Sequence, residues 1–127
     1  MMPAVIGIGA GAALGALLRW VLGMSLNGLW PTIPLGTLAA NLLGGLLIGA
    51  ASEFLGSHGS WSPVWRLFII TGFLGGLTTF STFSLEVTTL LQQRELGFAA
   101  LQIALHMAGS IILVLAGVAL VQLFARG

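Results

Sequence analysis

The chain has 127 residues, 57% of them hydrophobic and 6% charged; four arginines and three glutamates are its only charged side chains, and it has neither lysine nor tyrosine. A soluble domain needs about a quarter of its residues charged to cover its surface, so the composition excludes that class and points to an integral membrane protein. A formal charge of +1 is too small and too scattered for a nucleic-acid footprint, and with no cysteine there is neither a disulfide framework nor a thiolate metal site.

A hydrocarbon core about 30 Å thick takes roughly 20 apolar residues at helical rise. Four stretches meet that length, about 3–26, 34–56, 64–92 and 96–124, and they predict a single all-α transmembrane domain over 1–127. Met1-Met2-Pro3 lacks the basic segment of a secretory signal, so the first stretch reads as a retained span. Within it Gly7, Gly11 and Gly15 recur every fourth residue, a small face that serves either packing inside the chain or a dimer seam. The run from Gly7 to Ala12 has the glycines of a dinucleotide fingerprint but no acidic residue about 20 positions later and no strand-helix unit around it. Arg19, near the end of the span, either snorkels to the interface or draws anions into a vestibule.

Asn27-Gly28 and Pro31/Pro34 punctuate the first connector. In the second span Thr37 and Asn41 stand four apart and so share a helix face, with Gly45 and Gly49 forming another small pair. Asn41 lies mid-span, offers two N–H donors and carries no charge that would trap what it binds. Such polar stripes either fasten helices to one another or line a wet path.

The third span is the most unusual. Gly72, Gly75 and Gly76 put three helix-weakening residues within five positions, and Thr78, Thr79, Ser81, Thr82 and Ser84 follow with hydroxyls that compete for backbone hydrogen bonds. This pattern predicts a break in the third helix around residues 72–84. Liberated carbonyls, those of Gly75 and Thr78 above all, suit a small hard cation; a kink bridged by hydroxyls is the plainer alternative. Phe80 and Phe83, three apart, face roughly one way and serve either as packing or as electropositive ring edges toward an anion. Glu86 is an ionisable group in or near the bilayer and thus a functional candidate.

Gln102, His106 and Ser110 make a polar stripe at four-residue spacing in the fourth span. The two histidines, His58 and His106, sit in no nucleophile setting, and the glutamates show no metal-ligand spacing, so the chain reads as a non-enzyme. If the spans alternate sides, Arg66 and Arg126 share the side of the N-terminus while Arg19 and Arg94 lie toward the other. Topogenic charge then cancels. That balance, with a bundle too thin to hide its polar residues, points to an antiparallel dual-topology homodimer in lipid, a fixed orientation set by other factors being the alternative.

The segment G-F-L-G-G-L-T-T-F-S-T-F-S over residues 72–84, with G-T-L-A-A-N over 36–41 and G-A-L-L-R-W over 15–20, resembles the Fluc (CrcB-type) fluoride channel family. The similarity extends over all four spans. It implies an antiparallel dual-topology dimer in the bacterial inner membrane that exports fluoride passively, selectively over chloride, through two pores. On this resemblance Phe80 and Phe83 are pore phenylalanines, Asn41 is the pore asparagine, and the carbonyls of Gly75 and Thr78 from both subunits hold a central structural sodium ion. Thr37, Ser81, Thr82, Glu86, His106 and Ser110 join the polar pathway, and Arg19 stands near the aqueous entrance. A small multidrug-resistance-like transporter would share the four-span length, but it would carry an acid in span one, where this chain has only Arg19.

Overall fold

The computed structural model describes residues 1–126. Helix α1 (Met2–Leu26) runs into a 3-10 turn, Asn27–Leu29, and α2 (Leu35–Ser57) follows. Helix α3, residues 63–77, joins an α-helical turn at Pro63–Arg66, a π-helical stretch at Leu67–Leu74 and a last turn at Gly75–Leu77. Helices α4 (Phe80–Gln92) and α5 (Leu96–Arg126) complete the chain. Among the described residues four stretches are long and apolar enough to cross a bilayer: Met2–Leu29, Leu35–Ser57, Pro63–Gln92 and Leu96–Arg126. All four begin and end within a turn of the boundaries expected from hydropathy.

Helix ends explain where each span stops. Proline sits in the first turn of α1 and α3, where no N–H is required of it. The N-cap of α2, Pro34, has no side chain to offer. Asn27 substitutes from the preceding connector, its Oδ1 accepting the N–H groups of Gly36 at 2.7 Å and Thr37 at 3.2 Å. Helix α4 closes with Arg94 in the left-handed region, φ 59°, and the Glu95 N–H reaches the Leu90 carbonyl at 2.8 Å.

The four spans associate as two intimate pairs, α1 with α3 and α2 with α5. Glycine makes both pairs. A Cβ on Gly15 would collide with the Phe73 carbonyl and stand 2.7 Å from the Leu77 nitrogen; one on Gly11 would stand 2.8 Å from the Phe73 nitrogen. Across the second pair, Gly45 faces the Ser110 carbonyl at 2.9 Å from its would-be Cβ, and Gly49 and Gly117 abut the main chain of Val114 and Leu46. The glycine faces of spans one and two are thus used within the chain. Backbones at this distance gain dispersion contacts that lipid cannot match. Leu14, Leu17, Ile111, Ile112 and Leu115 are more than half exposed, as lipid-facing residues are.

Candidate functional site

The break expected in the third span is present and narrow. Thr78 (φ −87°, ψ 154°) and Thr79 (φ −149°, ψ 122°) are extended, with α3 ending before them and α4 starting after. Gly72, Gly75 and Gly76 do not rupture the helix. Gly72 and Gly76 instead let α3 lie against the backbone of Ile8 and Ala12. The local loosening around them takes the form of the π-helical stretch, in which the Gly75 N–H reaches back to Ile70 as well as Gly72.

Two extended residues in a hydrocarbon layer must find partners for their backbone. Asn41 supplies them from α2: its Oδ1 accepts the Thr79 N–H at 2.8 Å and its Nδ2 donates to the Thr79 carbonyl at 2.9 Å. The carboxamide pairs with Thr79 as a neighbouring strand would. The remaining Nδ2 hydrogen meets His106 Nδ1 at 3.0 Å, so Asn41 ties α2, the break and α5 together.

Diverting Thr79 N–H to Asn41 removes the helical donor of the Gly75 carbonyl. Likewise, Thr82 N–H goes to the Thr79 hydroxyl at 3.1 Å, which removes the helical donor of the Thr78 carbonyl. Gly75 and Thr78 therefore each carry a carbonyl oxygen without its usual helical donor. The Gly76 carbonyl is taken differently: Arg19 Nε donates to it at 3.1 Å. Arg19 is half-buried and caps the end of α3 rather than simply reaching for the interface.

On the other side of the break, α4 starts in mid-span with the first-turn amides of Phe80 and Ser81 lacking a helical acceptor. A helix N-terminus carries partial positive charge, which favours anions. Thr79 caps it. Replacing Thr79 by alanine should cost about 1 kcal/mol, and Thr79→Ser should restore most of it; thermal melts of the two variants in detergent check this.

Beside the break lies an open cavity of about 390 Å³, lined by Asn41, Thr78, Thr79, Phe80, Phe83, His106 and Ser110 among others, including Gly75. Phe80 is 71% exposed and Phe83 6%, with ring centroids 5.6 Å apart and planes at 60°. Phe83 also stacks at a tilt on His106, at 4.5 Å. Among the described residues, the hydroxyls of Ser110 and Thr82 make no hydrogen bond within the chain, while Ser81 lies 3.4 Å from the Thr79 hydroxyl. Of these three hydroxyls Ser110 alone lines the cavity, where it stands with the Phe80 and Phe83 rings, a donor and aromatic edges of the kinds that solvate an anion; Ser81 and Thr82 lie outside its lining.

Glu86 stands apart from this cavity and lines a second one of about 400 Å³, with Pro31, Pro34, Gln93 and Glu95. Both its oxygens accept: Oε2 from the Thr37 hydroxyl and Oε1 from Gln102 Nε2, each at 2.6 Å. Thr37, buried at 5% exposure, spends its hydroxyl hydrogen on Glu86. No group of three His, Asp or Glu is placed to hold a metal ion among the described residues.

The family profile described as CrcB-like protein, Camphor Resistance (CrcB), matches residues 6–118. The chain belongs to the CrcB family. Among curated relatives, a protein named Fluoride-specific ion channel FluC from Tolumonas auensis is 56% identical over 126 residues, 99% of each chain. Proteins of the same name from Pseudomonas paraeruginosa and Chromobacterium violaceum are 58% identical over 117 residues, 92% of each chain, and 53% identical over 126 residues, 99% of this chain and all of the other.

Within this CrcB-family fold, three roles were not apparent from residue spacing. Gln102 is fully buried and holds Glu86, although it was visible only as one member of a stripe. Asn27 starts α2, although its type and position marked only a connector. Arg19 ends α3. Each acts on a residue at least nine positions away, and no helical periodicity reports such a pairing.

Proposed function

We propose that the chain is a passive and highly selective fluoride channel of the bacterial inner membrane, and that two copies assemble antiparallel to form it. The observation that carries this reading is the two-residue break at Thr78–Thr79 inside a membrane span, bordered by Phe80, Phe83 and hydroxyl side chains. The names of the relatives point the same way. An ion channel performs no covalent chemistry, and none is asked of these residues.

Fluoride accepts hydrogen bonds and donates none, so its water shell is best replaced by O–H and N–H donors and by electropositive ring edges. Ser81, Thr82, Ser110 and the first-turn amides of α4 supply donors; Phe80 and Phe83 supply edges. Asn41 serves mainly by holding the break open, because both its amide hydrogens are engaged. Glu86 has one oxygen bonded to Thr37 and the other to Gln102, and it lines a different cavity from the aromatic pair. Arg19 favours anions near the mouth while it caps α3.

The released carbonyls of Gly75 and Thr78 are hard oxygen donors, the kind that broken membrane helices offer to sodium. One chain provides only two, and a second antiparallel copy would double the set. A sodium ion held there supplies positive charge that offsets the cost of bringing an anion into low dielectric. The open cavity beside Phe80 is where such a copy would pack. Cancelling arginines permit insertion in both orientations.

In sealed liposomes loaded with fluoride, the purified protein should release the ion without stoichiometric proton exchange, read with a fluoride electrode. Phe80→Ile or Phe83→Ile should lower that release by at least about tenfold, the effect of losing roughly 1.4 kcal/mol of ion stabilisation. Undiminished release in both variants would remove the aromatic pair from the pathway. Single cysteines placed in the loops should label from both sides of the membrane, and labelling from one side alone would refute the dual topology.

A further inference from the structure

Both ends of the bundle carry aromatic clusters that contain no residue of the ion pathway. Where α2 meets α3, Phe54 stacks on His58 with ring centroids 4.2 Å apart and meets Trp61 edge-on at 5.6 Å. Trp61 then meets Trp65 at 6.0 Å, and Trp65 meets Phe68 at 6.1 Å. At the opposite end Trp30, between α1 and α2, stands edge-on to Phe98 in the first turn of α5, at 6.2 Å. Trp20 belongs to that end too, because Leu22 and Gly23 abut Gly36 at the start of α2. The four tryptophans of the chain are therefore divided two and two.

The rings are turned outward: Trp20, Trp30, Trp61 and Trp65 are 38–59% exposed. Beneath the larger cluster the end of α2 is closed by its own side chains, the Ser57 hydroxyl donating to the Glu53 carbonyl at 2.9 Å and His58 Nδ1 to that of Phe54 at 2.8 Å. What the clusters present is apolar ring surface with one N–H on each indole. Water wets such a ring at a cost, and hydrocarbon leaves its N–H unpaired; the boundary between them serves both parts. Spacing places the clusters at that boundary. From Leu35 to Phe54 helix α2 rises about 29 Å, and the hydrocarbon core is about 30 Å thick. Gly45 and Gly49 meet Ser110 and Val114 across the α2–α5 pair, so Phe98 lies level with the residues just before Leu35. The two clusters thus stand one hydrocarbon thickness apart. Exposed arginines accompany both, Arg66 next to Trp65 in sequence and Arg94 four residues before Phe98. A guanidinium is the natural partner of a lipid phosphate.

We propose that these clusters are phospholipid anchors, with Trp61 and Trp65 in the glycerol-ester zone of one leaflet and Trp20 and Trp30 in that of the other. The indole N–H groups donate to ester or phosphate oxygens, while the rings lie against the upper acyl chains. Anchored at both ends, the bundle is held at a fixed depth in the bilayer. Because each end carries two tryptophans, the anchors favour neither orientation. The proposal concerns lipid alone and does not depend on which ion the protein passes.

The test is tryptophan fluorescence of the full chain in phosphatidylcholine vesicles whose acyl chains are brominated either close to the headgroup or close to the chain ends. The unmodified protein should lose more emission to the shallow bromines than to the deep ones. Trp20→Phe, Trp30→Phe and Trp65→Phe together leave Trp61 alone to report one end; Trp20→Phe, Trp61→Phe and Trp65→Phe leave Trp30 to report the other. Each should give the same order of quenching. Stronger loss to the deep bromines would put the rings in the hydrocarbon, and no loss to either would mean that water or a second copy covers them; both results overturn the proposal. Shallow quenching at one end alone overturns anchoring at both. If the triple variants do not fold, the unmodified protein decides.

Discussion

Asn41→Leu should abolish fluoride efflux and strongly lower thermal stability. The leucine fills similar space but takes away the partners of both Thr79 backbone groups, at 2.8 and 2.9 Å, and the 3.0 Å bond to His106. Each buried polar group left unpaired costs about 1–3 kcal/mol, so the break as built becomes less favourable by about 2–6 kcal/mol. Relief comes only by drawing Thr78 and Thr79 into continuous helix, which would take back the Gly75 carbonyl and withdraw the mid-span start of α4. Efflux should fall by more than about a hundredfold. Circular dichroism melts and electrode traces on one preparation check both parts, and a variant that melts and conducts like the parent would show that Asn41 does not hold the break.

Gly15→Val and Gly49→Val should be among the most destabilising substitutions in the molecule. In each case the new Cβ would meet backbone: Phe73 and Leu77 across from Gly15, Val114 across from Gly49. Main-chain atoms cannot rotate aside as a side chain can, so the helix axes must part, at more than about 3 kcal/mol, beyond the usual range for overpacking. In the Gly15 variant the separation of α1 from α3 also carries Arg19 away from the Gly76 carbonyl. Gly9→Ala is the matched control, since nothing lies within 4 Å of a Cβ at that position. Size-exclusion profiles after detergent extraction should show aggregated or absent protein for the two valines and a parent-like peak for Gly9→Ala.

The extent of each span was legible because it depends on one quantity, the length of apolar chain needed to cross hydrocarbon. The existence of a break in the third span was legible too, from hydroxyls that offer the backbone an alternative to helix. Its position was less so. Glycine weakens a helix and equally permits close approach, and only the location of α1 reveals that Gly72 and Gly76 serve the second purpose. Asn41 was visible as a mid-span donor, but its partners are 38 and 65 residues away, beyond any local pattern. Glu86 drew notice as a charge at depth; that Thr37 and Gln102 converge on its two oxygens depends on how α2, α4 and α5 meet. The residue types were readable, whereas their pairings belong to tertiary structure.

Helix α5, at 31 residues, is about 46 Å long, against a hydrocarbon core of about 30 Å. In a bilayer of short acyl chains it must tilt, and because Gly45, Gly49 and Gly117 clasp it to α2 backbone to backbone, α2 leans with it. The third span, Pro63–Gln92, is nearly as long, but it is divided at Thr78–Thr79, so its two halves need not tilt as one. Shear between the two pairs falls on the bonds that cross between them, those from Asn41 to Thr79 and from Thr37 to Glu86 included, so lipid chain length becomes a lever on ion passage applied from outside the protein.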